Sequence, residues 1–292
     1  MIYDIRLVID YAYAAPSDGV RTILRLIPQG DAAQSVHSAL LTIDPPPDER
    51  RDFTDFFGNV TTTVGWHHPV TAITYSLQTR IDRLPDPPFL DLSPPLAALA
   101  ATLAAQQGLD PLSPHHFSGA SARVAPLEEV TDFARDCLSP GMTVFQAVQA
   151  IGQALHRRLE FDAAATTVDT TPAEAFAQGR GVCQDFAHVM IAALRGIGVP
   201  AGYVSGFLRT FPPPGQPRLE GADAMHAWVQ AWCGPEMGWV EFDPTNDQMA
   251  GPDYVTVARG RDYGDVLPVH GVLRSAGGQT SGQSVDMVPA EE

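Results

Sequence analysis

The stretch Gly179-Arg180-Gly181-Val182-Cys183-Gln184-Asp185-Phe186 runs into Phe186–Ile197, a segment apolar nearly all round that Gly198 and Pro200 terminate. Such a segment predicts a buried helix, so a glycine-bearing loop delivers Cys183 to a first helical turn. Unpaired amide N–H groups and the positive end of the helix dipole meet there. They favour a thiolate over a thiol, whose ordinary pKa is ~8.5. The thiolate is the nucleophilic form, which makes this a sensible place for a reactive sulfur. A buried thiol acting as a small hydrophobe fits the same residues equally well.

Two downstream residues bear on that choice. His226 opens the β segment Ala227-Trp228-Val229-Gln230-Ala231-Trp232, and Asp243 ends the next one, Gly238-Trp239-Val240-Glu241-Phe242. The connection Gly234-Pro235-Glu236-Met237 is short, which predicts neighbouring antiparallel strands. If residue 233 faces 238, then 228 faces 243 and 226 faces 245. His226 and Asp243 are then diagonal neighbours on one face, about 7–8 Å apart at the backbone. A register shifted by two sets them directly opposite. In either case an imidazole meets a carboxylate that can fix its tautomer, leaving the other ring nitrogen for Cys183. A structural hydrogen-bonded pair is the competing reading.

Around this centre the second half of the chain reads as mixed α and β. Val144, Val148, Ile151 and Leu155 recur at helical spacing, predicting an amphipathic helix over Thr143–Arg158. Thr171-Pro172-Ala173-Glu174 carries an N-cap, a proline at the first helical position and a capping-box glutamate. Tyr203–Arg209 is strand-like. Residues 1–84 read as β throughout: Ile5, Leu7 and Ile9 alternate with Arg6, Val8 and Asp10, and a turn at Ser17-Asp18-Gly19 precedes Ile23-Leu24-Arg25-Leu26. Further strands are expected at Ser38–Ile43, Asn59–Trp66 and Thr71–Arg80, in a small sandwich or barrel. Pro85, Pro87, Pro88, Pro94 and Pro95 mark 85–95 as a stiff connector. The expected organisation is therefore an N-terminal all-β domain at 1–84, the connector, a catalytic α+β domain at 96–274, and a flexible tail at 275–292 rich in Gly, Ser and Gln.

Composition removes several function classes. The net charge is −16, and all 18 basic residues are arginine. So acidic a chain repels polyphosphate, which argues against nucleic-acid binding. No apolar run reaches the ~18 residues of a membrane helix, and the start, MIYDIRLVIDY, lacks a signal-peptide layout. Cys137, Cys183 and Cys233 form no disulfide framework, so a reducing cytoplasm is the expected compartment.

The strings GRGVCQDFAHVMIAALRGIGVPAGYVSGFLRT, DAMHAWVQAW, GWVEFDPTND and GRDYGDV, in that order, resemble the bacterial transglutaminase-like cysteine proteinase family. YAYAAP, LRLIPQ and DFFGN resemble that family's N-terminal β region, so the resemblance spans about Tyr11 to Gly271. It implies a papain-like, transglutaminase-like α+β core, with a helix-leading cysteine and a His and Asp on adjacent antiparallel strands. Carried over by motif, Cys183 becomes the nucleophile, His226 the general base and acid, and Asp243 the orienting carboxylate. The resemblance implies a cysteine peptidase or amidase more readily than a crosslinking enzyme. Met225, where small residues such as Ser are common in the family, departs from the pattern.

Other residues near the motifs have lesser expected roles. Gln184 is a candidate cleft-lining residue, Trp228 either packs in the core or lines the cleft, and Tyr263 lies near the active-site rim. His188, about 140° round the helix from Cys183, should make a structural hydrogen bond. A zinc site of Cys183, His188, His226 and Asp243 can be drawn, but its helical geometry is poor. Cys137 and Cys233 should be passive. The expected chemistry takes a peptide or protein substrate and needs no metal or organic cofactor. Amine transfer shares its first half with hydrolysis, and a non-catalytic binding module retaining the fold is the rival from another class. The cleft is expected on the catalytic domain, partly walled by the N-terminal domain.

Overall fold

In the computed structural model, which describes residues 1–84, 90–211, 221 and 223–290, the chain begins with β1 (Ile2–Leu24), β2 (Gln34–Asp44), β3 (Glu49–Thr54), β4 (Val60–Gly65) and β5 (Val70–Arg83). Tyr3, Ile5, Leu7 and Ile9 of β1 are buried while Asp4, Arg6 and Asp10 are exposed, the two-residue alternation of a half-buried strand. Then follow α1 (Leu99–Ala104), α2 (Glu128–Asp136), α3 (Val144–Arg158), β6 (Glu160–Phe161), α4 (Pro172–Gln178), β7 (Arg180–Gly181) and α5 (Cys183–Gly196). The remaining elements are β8 (Ala201–Leu208), β9 (Ala224–Trp232), β10 (Trp239–Asp243), β11 (Gln248–Met249), β12 (Tyr254–Gly260), α6 (Tyr263–Val266), β13 (Val269–Arg274) and β14 (Gln279–Pro289). The fold is α+β, a β-rich N-terminal region with a core of helices packed on an antiparallel sheet.

Two sequence expectations are corrected in the β region. Ser17-Asp18-Gly19 does not separate two strands: β1 is continuous and bulges between Ala12 and Ser17. Before the bulge β1 lies between β5 and β14, and after it between β4 and β13. Two four-stranded layers thus share one long strand in a sandwich-like arrangement. Nor is the expected tail at 275–292 loose over Gln279–Pro289, because β14 pairs with Tyr3–Tyr13 of β1; 291–292 lies outside the described residues. Backbone pairing needs no apolar run, and only Val285 and Met287 of β14 enter the core. The segment from 269 onward therefore returns to the N-terminal sheet. Of the expected connector, 85–89 lies outside the described residues. The rest docks on α3, where Phe145 N–H donates to Ser93 Oγ (3.0 Å) and Thr143 Oγ1 to Asp91 (2.6 Å).

The core surrounds α5, whose residues from Gln184 to Leu194 are all buried. It packs against α2, α3 and α4 on one side and against β8 and β9 on the other. Local signals set the neighbouring helices: Thr143 with Gln146, and Thr171 with Glu174, form capping boxes at the starts of α3 and α4. The core sheet runs β11-β10-β9-β8-β12. Its outer strand β12 is not left as a bare edge. The side-chain amide of Gln34 takes both backbone groups of Thr256 (2.7 and 2.9 Å), and that of Asn59 takes both of Arg259 (2.8 and 2.8 Å). Each amide substitutes for a missing strand neighbour, and both come from the N-terminal unit. Among the described residues no helix is long and apolar enough to cross a membrane.

Candidate active site

The loop before α5 closes on itself through Asp185. Its carboxylate accepts from Val182 N–H (2.8 Å) and Thr166 Oγ1 (2.6 Å), satisfying the orphan donor at the helix start. Gly181 permits this, since a Cβ there would sit 2.5 Å from that carboxylate. Burial pushes the Asp185 pKa up. Cys183 follows as the first residue of α5 and stays partly exposed. Gln184 Nε2 donates to Val168 O (3.2 Å), and the Arg123 guanidinium donates to the same oxygen, so both secure the loop beside the cysteine.

The strand pair forms in the predicted register: Trp232 faces Trp239 and Val229 faces Phe242, with Cys233 N–H donating to Gly238 O at 2.8 Å. His226 and Asp243 are accordingly diagonal neighbours, joined by a 2.7 Å bond from Nε2 to Oδ2. The Cys183 side chain also favours the charged form of this imidazole. With Nε2 taken by Asp243, Nδ1 is the nitrogen left for the sulfur. Burial opposes the charged imidazole, but its bond to Asp243 and its interaction with Cys183 outweigh burial and raise its pKa to about 10.

Asp243 is wholly buried. Its Oδ1 accepts from the backbone N–H groups of Thr245 (2.8 Å) and Asn246 (3.3 Å). Its Oδ2 accepts from His226, from Asn246 Nδ2 and from the Tyr254 hydroxyl, each at 2.7 Å. Burial works against this carboxylate, yet these bonds hold its pKa below the usual range.

The chain belongs to the transglutaminase-like superfamily. The model of that superfamily matches residues 131–244, and a bacterial transglutaminase-like N-terminal region matches 3–82. Uncharacterised proteins of Mycobacterium tuberculosis and Mycobacterium bovis are 34% identical over 279 residues, 91% of this chain and 86% of theirs. The solved structure of a candidate cysteine protease from Cytophaga hutchinsonii shares the fold, with a TM-score of 0.77 at 20% identity over 100% of this chain and 91% of that one. A shorter match, 39% identical over 66 residues, links 22% of this chain to 10% of a protein-glutamine gamma-glutamyltransferase from Pseudomonas aeruginosa. Superfamily membership supports a cysteine-dependent enzyme.

Other residues singled out in the sequence separate into neighbours and supports. Trp228 is fully buried and donates through Nε1 to Glu241 (2.6 Å). It stacks on His226 at 6.2 Å between ring centroids, so it backs the imidazole and offers no surface to a substrate. Gln184 is likewise buried, occupied with Val168. Tyr263 is partly exposed beneath the Arg123 guanidinium, 5.5 Å from its ring centre. Burial pushes the Tyr263 pKa up. His188 accepts from Tyr263 N–H at 3.1 Å, and burial lowers its pKa to about 4, the structural bond expected. Cys233 is buried, its pKa pushed up to about 12, and Cys137 donates its thiol to Phe133 O.

Sequence reasoning missed Tyr254, Asn246 and Gly206. Asn246 carried a local signal, three residues beyond Asp243 in a Pro-containing turn. Tyr254 had none, because it arrives from the far edge of the sheet. Gly206 faces His226 across β8–β9, and a Cβ there would meet the Trp228 ring at 2.5 Å. Its bare backbone makes room for the Trp228 ring, which lies edge-on to that of Tyr254 at 5.2 Å.

Proposed function

We propose that the protein is a cysteine peptidase or amidase acting on a peptide or protein substrate, with Cys183, His226 and Asp243 as its catalytic triad. The observation that carries this reading is a single imidazole that is hydrogen-bonded to Asp243 and whose charged form the Cys183 side chain favours. The Cys183 thiolate attacks a carboxamide or peptide carbonyl, and the Cys183 backbone N–H faces the developing oxyanion. His226 gives its proton to the departing amine as the C–N bond breaks, leaving a thioester on Cys183. His226 then takes a proton from water, the C–S bond breaks and the acid is released. Asp243 holds the imidazole throughout and stays ionised. Tyr263, partly exposed beneath the Arg123 guanidinium, is the proposed substrate-contacting residue.

The local likeness to the Pseudomonas protein-glutamine gamma-glutamyltransferase favours a second reading, in which an amine intercepts the same thioester. A glutamine-containing peptide incubated with a labelled primary amine separates the two. Hydrolysis predicts carboxylic acid as the main product; labelled amide in excess of acid would overturn the peptidase or amidase reading.

A further inference from the structure

Tyr254 reaches Asp243 from an unexpected direction. The sheet order places β12 beyond β8 and β9, on the opposite side from β10. Yet the Tyr254 hydroxyl lies 2.7 Å from Asp243 Oδ2, the oxygen that also receives His226 Nε2. The direction of this bond is determined. Gln248 Nε2 donates to the Tyr254 oxygen at 2.7 Å, and an ionised carboxylate has no proton to give, so the hydroxyl hydrogen must point at Asp243. Both Tyr254 and Asp243 are buried, which strengthens such charge-assisted bonds.

We infer that Tyr254 is a positioning residue that attenuates the Asp243–His226 bond, keeping the imidazolium acidic enough to protonate a leaving amine. Three donors share Oδ2, and each draws on the same negative charge. If the phenol is removed, more of that charge falls on the Nε2–H of His226 and the imidazolium is held more tightly. The charged and titratable groups facing this imidazole are Cys183 from α5, Asp243 from β10 and Tyr254 from β12. Asn246 contributes a neutral amide. The consequence for rate, which rests on the proposed acyl-transfer reading, falls on proton donation. Acylation by an amide needs that proton, whereas an ester with a p-nitrophenolate leaving group does not.

Two readouts on the full chain test this. In proton NMR at neutral pH, the downfield Nε2–H resonance of His226 should move further downfield in Tyr254→Phe. It should move less, in the same direction, in Gln248→Ala, which frees the phenol to rotate. With matched amide and p-nitrophenyl ester substrates, Tyr254→Phe should lower kcat/KM for the amide about tenfold and leave the ester nearly unchanged, as loss of a charged hydrogen bond suggests. A purely structural role would lower both alike, or lower thermal stability alone. An unmoved or upfield His226 resonance in folded Tyr254→Phe, or an equal loss on both substrates, would overturn the inference. Failure of the wild type to turn over either substrate while the resonance shifts as expected would instead sink the proposed function and leave the attenuation intact.

Discussion

Cys183 and Asp243, the two ends of the proposed triad, are held in opposite ways. Cys183 stands partly exposed at a loop–helix junction, and its surroundings are fixed at one remove, through Asp185 closing the loop behind it. Asp243, by contrast, is sealed from solvent and receives five hydrogen bonds from four residues. The difference suits the proposed acyl transfer. The sulfur must meet and release substrate, while the carboxylate must keep one tautomer of one imidazole and needs no solvent to do so.

The comparison breaks most visibly by truncating each partner. Cys183→Ala should abolish turnover while changing stability by less than about 1 kcal/mol, because a partly exposed thiol contributes little packing. Asp243→Ala should also abolish turnover, but with a loss of about 3–5 kcal/mol, since it strands His226, Tyr254, Asn246 and two backbone donors in a buried site. Denaturant unfolding of the two variants side by side checks this; equal stability losses would show that the asymmetry is not real.

A smaller effect distinguishes His226 from His188 by pH. His226, raised from 6.5 to about 10, contributes stability that is fully present below pH 6.5 and is lost as pH rises towards 10. His188, lowered from 6.5 to about 4, acts in the opposite sense. Between pH 6.5 and 4 the unfolded chain binds the proton more readily, so stability falls with pH across that window, by up to about 3 kcal/mol. His188→Gln keeps an acceptor for Tyr263 N–H and removes the titration. Its melting temperature should fall less than that of the wild type between about pH 7 and pH 4.5. Parallel losses in the two proteins would assign the acid sensitivity elsewhere.

The local signals around the site were strong, and the long-range ones were absent. Threonine caps located α3 and α4, and the four-residue link Gly234–Met237 set the β9–β10 register that brings His226 to Asp243. Ser17-Asp18-Gly19 has turn composition but lies at the end of a bulge, held in one strand by partners more than 40 residues away. β14 pairs with a strand more than 260 residues earlier, through backbone groups that leave little mark on side-chain pattern. Trp228 carried two readings because alternation alone does not say which face of a sheet is covered. Tyr254 was illegible for a similar reason: its role depends on a side chain reaching Asp243 across two intervening strands. The clasps that Gln34 and Asn59 place on β12 belong to the same class of non-local contact.

The most direct test of the site is the rate at which iodoacetamide labels each cysteine near pH 6, well below the ordinary thiol pKa of ~8.5. Peptide mapping of wild type and His226→Ala would be read together. Rapid labelling of Cys183 ahead of Cys137 and Cys233, slowed at least about tenfold without His226, is the result predicted for a thiolate coupled to this imidazole. Labelling of Cys183 at the rate of an ordinary exposed thiol, indifferent to His226, would contradict it.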